Sequence, residues 1–217
     1  MNPQLLQIFK DAYQPLAIIL HGSQARGDSL PSSDFDVYIV VSNVKEASQK
    51  RLREFQGSNL DIEFLSKDEV LEADINEFFG YNLFDAKILF DTDTIGSQLL
   101  SRAHILYSNG RNLKVDERES REFYYKRALA RLRDCVGDPI SFEIRFGDLY
   151  ARLPRYWAEL KNNSWGKSIR ILEKEIQAKD SFFFEILEQL VEVRREEKVM
   201  ILEKVYNYLF VDLGVKN

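Results

Sequence analysis

The stretch from Asp34 to Val41, DFDVYIVV, alternates in a way that leaves little choice of structure. Successive strand residues point to opposite faces, so Asp34, Asp36 and Tyr38 share one face and Phe35, Val37, Ile39 and Val41 the other. Residues 59–65, NLDIEFL, repeat the device: Leu60, Ile62 and Phe64 point one way, Asp61 and Glu63 the other. The apolar face of each strand is the one expected to pack on helices. If the two strands are neighbours, three or four carboxylates converge on one side of a sheet. Like charges that close raise one another's pKa or weaken the fold. A bound divalent cation reverses that balance.

The rest of the front half alternates helical and strand patterns. Residues 3–13 read as a helix with apolar Leu5, Leu6, Ile8 and Phe9. Residues 15–20, 35–41, 59–65 and 86–90 read as strands, and 45–55, 67–79 and 95–106 as helices. This order implies an α/β (α+β) domain, a small mixed sheet covered by helices. From about Asp116 the strand signals stop and helical spacing takes over, as in Tyr125, Leu129, Leu132 and Val136, and again in Leu187, Val191, Ile201 and Val205. Breaks near 137–139, 162–166 and 178–181 divide this half into three to five helices, an all-α bundle. The polar segment 108–116 places the boundary, giving domains 1–112 and 113–217.

Composition narrows the classes. With 217 residues, 45% hydrophobic and 30% charged, the chain is that of an ordinary globular protein. Its longest apolar runs, LAIIL and VYIVV, fall far below the ~18–20 residues that span a bilayer, so no membrane partner is expected. The first residues, MNPQLLQIFKDAYQP, lack the basic segment and apolar core of a signal peptide. A single cysteine, Cys135, makes no internal disulfide, and no Cys/His cluster suggests zinc. A reducing, cytoplasmic setting is the expectation. Residues 1–112 carry 10 Lys and Arg against 16 Asp and Glu, whereas 113–217 carry 20 against 19. An acidic front half argues against general nucleic-acid binding and suits a site that takes cations first and anions through them.

The loop ahead of the acidic strand, HGSQARGD, supplies what such a site needs. Gly22 lets backbone approach a ligand closely. Ser23 offers a hydroxyl and an N–H at a helix start, suited to phosphate, and Arg26 adds a cation nearby. Mg²⁺ favours carboxylate oxygens together with substrate phosphates, and two such ions about 3.5–4 Å apart can clamp the oxygens of a phosphoryl or nucleotidyl transfer.

Gly22-Ser23, ten residues, then Asp34-Phe35-Asp36, followed by the acidic strand LDIEF, resembles the DNA polymerase β nucleotidyltransferase superfamily. The resemblance spans roughly residues 15–105 and is closest to the minimal nucleotidyltransferases, including those that modify aminoglycosides. AKILFDTDTIGSQLLSRA is similar to the closing strand and helix of those domains. NSWGKSIRILEKEI resembles the helical domain appended to several antibiotic-modifying members. The resemblance implies that Asp34 and Asp36 bind the metals and that Gly22 and Ser23 bind the triphosphate. Either Asp61 or Glu63 completes the metal site, with Asp61 favoured. It implies Mg²⁺-dependent transfer of a nucleoside monophosphate from ATP or another NTP to a hydroxylated small-molecule acceptor, releasing pyrophosphate. A base is sought among Asp61, Glu63 and the helical-half carboxylates Glu143, Asp148 and Glu159, none of which spacing selects. The alternatives are AMP transfer to a protein, as in antitoxin-like members, and a non-catalytic nucleotide-binding module.

The remaining features read as structural. His21 is expected to be a satisfied histidine at a strand end. His104 lies in a helix, with no arginine at the spacing of the Arg-x(4–6)-His ribonuclease motif. Trp157, Trp165 and the run 181–187 read as bundle core. The helical half is expected to shape the acceptor site or to support a homodimer.

Overall fold

The computed structural model describes residues 3–165 and 168–211. It divides into two compact units, Met1–Asn109 and Gly110–Asn217.

In the first unit, helix α1 (Pro3–Tyr13) buries Leu5, Phe9 and Tyr13 at four-residue spacing. Strand β1 (Ala17–His21) leads directly into the short helix α2 (Gly22–Arg26). Strand β2 (Phe35–Val40), helix α3 (Val44–Gln49), strands β3 (Glu54–Phe55) and β4 (Ser58–Leu65) follow. Then come α4 (Lys67–Glu72), α5 (Ile75–Phe78), β5 (Lys87–Asp91) and α6 (Ile95–Ser108). The five strands form one sheet in the order β3-β4-β2-β1-β5. It is mixed: β2 runs parallel to β4, and the other pairs are antiparallel.

Each face of the sheet has its own cover. Ile18, Leu20, Val37, Ile39, Ile62 and Phe64 form one core with Leu5 and Phe9 of α1, Ala25 of α2 and Ala47 of α3. Burying a side chain such as Phe9 contributes roughly 1.5–3 kcal/mol. On the opposite face α6 packs on β1 and β5. The buried Tyr38 of that face meets the Phe79 ring edge-on, with centroids 5.3 Å apart.

Two elements differ from the sequence expectation. The helix expected over 45–55 stops at Gln49 because the Tyr13 hydroxyl takes the backbone groups beyond it. That hydroxyl donates to Lys50 O at 3.1 Å and accepts from Leu52 N at 2.9 Å. Residues 54–59 instead form a hairpin, turned at Gln56 (φ 50°) and Gly57 (φ 80°), the left-handed pair a tight two-residue turn requires. The helix expected over 67–79 is split between α4 and α5. The chain turns extended at Ala73, and Arg102 of α6 donates to the carbonyls of Val70, Leu71 and Ala73 at 2.9, 2.7 and 2.6 Å.

The second unit holds α7 (Val115–Asp134), α8 (Pro139–Tyr150), α9 (Leu153–Leu160), α10 (Ile169–Lys179), α11 (Ser181–Glu192) and α12 (Arg195–Tyr206), closed by a π-helical turn at Asn207–Val211. Six α-helices among the described residues exceed the expected three to five. The chain breaks again at Ala151–Arg152, where Pro154 opens α9, and Asp180 separates α10 from α11. The break expected at 162–166 runs into residues 166–167, which lie outside the described residues. Asp180 accepts from Phe183 N at 3.0 Å, from Trp157 Nε1 at 2.6 Å and from the Tyr208 hydroxyl. Tyr125, Phe142, Trp157, Leu172 and Phe183 sit in one apolar cluster. Val191, expected on the buried stripe, is exposed.

Candidate active site

Parallel pairing of β2 with β4 sets Asp36 opposite Asp61 and Tyr38 opposite Glu63. Neighbouring strands lie about 4.7–4.9 Å apart, so Asp36 and Asp61 are side by side. Both face away from the α1–α3 core: Ile62 and Phe64 are buried while Asp61 and Glu63 are exposed. Asp34 stands exposed one step ahead of β2, on the same face as Asp36. The carboxylates suggested by alternation thus do share one side of the sheet.

The antiparallel register of β1 brings the Gly22 turn to the same end, with His21 opposite Asp36. Gly22 has φ +67°, and a Cβ built on it would lie 1.9 Å from Asp36 Oδ2. Only glycine fits there. The turn continues as α2, which closes at Gly27 with its N–H donating to Ser23 O at 2.9 Å. Arg26 pairs with Asp28 at 3.2 Å on the way into the loop. Its charge still reaches Asp36, where it opposes the upward pKa shift.

The electrostatics carry the mark of crowded anions. Burial, Asp34 and Asp61 together push Asp36 up to about 6, with Arg26 working against them. Glu63 is raised by burial and by Asp61. Asp61 acts on both, whereas Glu63 is not among the groups that shift Asp36. Tyr38 is pushed up to about 12, chiefly by burial. His21 stacks on Tyr38 with ring centroids 4.2 Å apart, and burial lowers it to about 4, so it is neutral at pH 7. Asn82 Nδ2 donates to the Tyr38 hydroxyl at 3.0 Å. Tyr38, His21 and Asn82 form a packed floor beneath the acidic row. Sequence periodicity puts Tyr38 on this face, but nothing in the sequence marks Asn82.

Among the described residues, no three His, Cys, Asp or Glu side chains stand close enough to cage an ion. The chemistry of the acidic row still suits a hard cation: acidic oxygens from two strands, a carboxyl raised by burial and by two neighbouring carboxylates, and a glycine that lets the backbone turn lie against Asp36.

Of the helical-half carboxylates, Glu143 pairs with Lys198 at 3.4 Å and Glu159 with Arg121 at 2.9 Å. Asp148 has no ion pair among the described residues and lines a cavity within the helical unit. Trp157 and Trp165 are buried, as their spacing suggests, and His104 is exposed.

The first unit is thus a mixed sheet carrying a glycine-serine turn and the acidic residues of β2 and β4 at one end. Residues 3–89 match the family described as nucleotidyltransferase domain, and this part of the chain is a nucleotidyltransferase domain of the polymerase β-like superfamily. The protein is accordingly a nucleotidyltransferase enzyme. Among solved structures, a nucleotidyltransferase-like protein from Exiguobacterium sibiricum aligns at 14% identity and a TM-score of 0.48, covering 94% of this chain and 72% of that one. A toxin-antitoxin structure with AMP-PNP aligns at 15% identity and a TM-score of 0.35, covering 50% of this chain and 89% of that one. No match was found among curated proteins.

Proposed function

We propose that the protein transfers a nucleoside monophosphate from ATP or another NTP to a hydroxyl of a small-molecule acceptor, releasing pyrophosphate. The observation that carries this reading is the register that sets Asp36 beside Asp61, with Asp34 on the same face and the Gly22 turn against Asp36. Asp34, Asp36 and Asp61 are the residues that would hold Mg²⁺. When bound, it would neutralise the triphosphate and the charge that develops on it. Gly22 and Ser23 take the triphosphate along the turn, which the missing side chain lets run directly against the Asp36 carboxylate. Arg26 adds positive charge on the α2 side.

In the reaction the acceptor oxygen forms a bond to the α-phosphorus while the bond to the pyrophosphate oxygen breaks. The hydroxyl proton leaves to a carboxylate of β4, Asp61 or Glu63. Glu63 is suited to that role by its raised pKa, and Asp61 by its place beside Asp36. His21, neutral and stacked on Tyr38, fixes the end of β1 from which Gly22 departs and is a positioning residue. Rate enhancement comes from alignment and charge stabilisation.

The test is pyrophosphate release with each NTP and Mg²⁺ against a panel of hydroxylated acceptors, with products weighed by mass spectrometry. The expected product is an acceptor heavier by one nucleoside monophosphate, lost in Asp36→Asn with the fold intact. Product formed equally well by that variant would overturn the assignment.

A further inference from the structure

Some arginines of the helical unit are engaged in ion pairs and others are not. Arg111, Arg121 and Arg133 pair with Glu117, Glu159 and Glu203. Arg127, Arg131 and Arg145 form no ion pair among the described residues, although two of them lie on the same helix, α7, as paired arginines. These three, with Arg152, Asp148 and Tyr156, line one cavity of about 300 Å³. The volume is at the lower end of the about 300–1,000 Å³ range of small-molecule sites.

Helical spacing explains how the cavity is built. Arg127 and Arg131 are one turn apart on α7, and Arg145 and Asp148 of α8, which packs against it, line the other side of the hollow beside the buried Leu149. Arg152 follows where α8 gives way to α9. Ala128 keeps the α7 wall low, and the buried Leu149 forms an apolar floor. Arg152 also interacts with the Tyr156 hydroxyl and draws its pKa down against the larger effect of burial.

Four guanidinium groups around one hollow, with a single carboxylate among them, repel one another. All four are exposed, and together they give the hollow a positive potential that attracts anions. Guanidinium matches phosphate oxygens in geometry and charge. Asp148 argues about the rest of the ligand: it would repel a continuous phosphodiester backbone, but it accepts hydrogen bonds from hydroxyls. The site is also a half-open hollow rather than a long basic stripe, on a chain whose net charge is −5.

We propose that this cavity binds a small phosphomonoester that also carries hydroxyl groups, with the arginines on the phosphate and Asp148 on a hydroxyl. The inference does not depend on the transfer chemistry, because every group it uses lies in the helical unit.

The test is calorimetric titration of the metal-free 217-residue Asp34→Asn chain, altered at the proposed metal site, with inorganic phosphate, glucose 6-phosphate, glucose and a single-stranded RNA oligonucleotide. Both phosphates are expected to bind and glucose is not. Arg131→Gln combined with Arg145→Gln should weaken both by at least about tenfold, the loss expected for charge-assisted contacts. Arg127→Gln alone should weaken both in the same direction, and circular dichroism checks that each variant folds. Asp148→Asn should weaken glucose 6-phosphate but not inorganic phosphate. No binding of either phosphate, affinities unchanged in the arginine variants, or glucose binding as well as its phosphate would overturn the proposal. So would binding confined to a single-stranded RNA oligonucleotide.

Discussion

Gly22 sits at the one turn where backbone conformation and space both exclude a side chain. Its left-handed φ alone costs an L-residue about 1–2 kcal/mol, and a Cβ would strike Asp36. Gly22→Ala should therefore lower the melting temperature and cut nucleotidyl transfer sharply, whereas Gly27→Ala should cost stability while sparing most activity. Gly27 is also left-handed, but a Cβ there meets nothing. Asp36 makes a separate prediction. Its pKa rises from 3.8 to about 6 on folding, so the native state holds the proton more tightly than the unfolded chain. The protonated group's stabilisation is complete below about pH 4 and is lost as pH rises through 6. Asp36→Asn should hence melt higher than wild type at pH 7.5 without metal, by about 1 kcal/mol after solvent screening, with the gap closing at pH 4. Magnesium should raise the wild-type midpoint and leave the variant unmoved. Within β4, Asp61→Asn should abolish both the magnesium shift and turnover, while Glu63→Gln should keep the shift, because Glu63 stands opposite Tyr38 rather than Asp36. The acidic row was legible because strand periodicity is strict. Asn82 was not, since its bond to Tyr38 spans 44 residues and leaves no local trace.

At the scale of elements, the sequence was readable wherever burial enforced a period and unreadable where one distant side chain ended an element. Strands β2 and β4 fell close to their expected bounds because in each a run of alternate buried apolar residues is interleaved with acidic ones, Asp36 in β2 and Asp61 and Glu63 in β4. Helix α3 ended six residues short of expectation because of Tyr13, whose sequence separation from Leu52 is 39. Helices α4 and α5 were read as one because Arg102, some thirty residues away, takes the carbonyls between them. Thr94 and Asp93 adopt positive φ, and Asp91 caps α6 by accepting from Gly96 N and Ser97 N, each at 2.9 Å. The Arg102 contact is the one to test. Arg102→Gln leaves carbonyls at the end of α4 without a cationic donor, at a cost of about 2 kcal/mol. Amide exchange over residues 70–79 should accelerate in that variant while β1 and β2 stay protected. Equal acceleration in the strands would mean that the contact supports the whole unit rather than the α4–α5 junction.

For the molecule as a whole, the two units each have a core of their own, one built around β1, β2 and β4 and one around Tyr125, Phe142 and Phe183. Cores without shared residues can unfold separately, and a single melting temperature then describes neither. Ligands make the separation measurable. Nucleotide and magnesium, on the proposed reading, engage groups of residues 1–109 alone, and a ligand that binds the native form raises stability by about 2.7 kcal/mol at one hundred times its Kd. Both tryptophans, Trp157 and Trp165, lie in the helical unit, so tryptophan fluorescence follows that unit's unfolding and nothing else. Backbone signals follow both. Saturating magnesium and a non-hydrolysable NTP should therefore shift one calorimetric transition upward and leave the tryptophan transition where it was. Inorganic phosphate should do the reverse through the arginine cavity. If both probes moved together under either ligand, the units would be energetically coupled, and the helical unit would have to be treated as part of the nucleotide site rather than as a separately folding body.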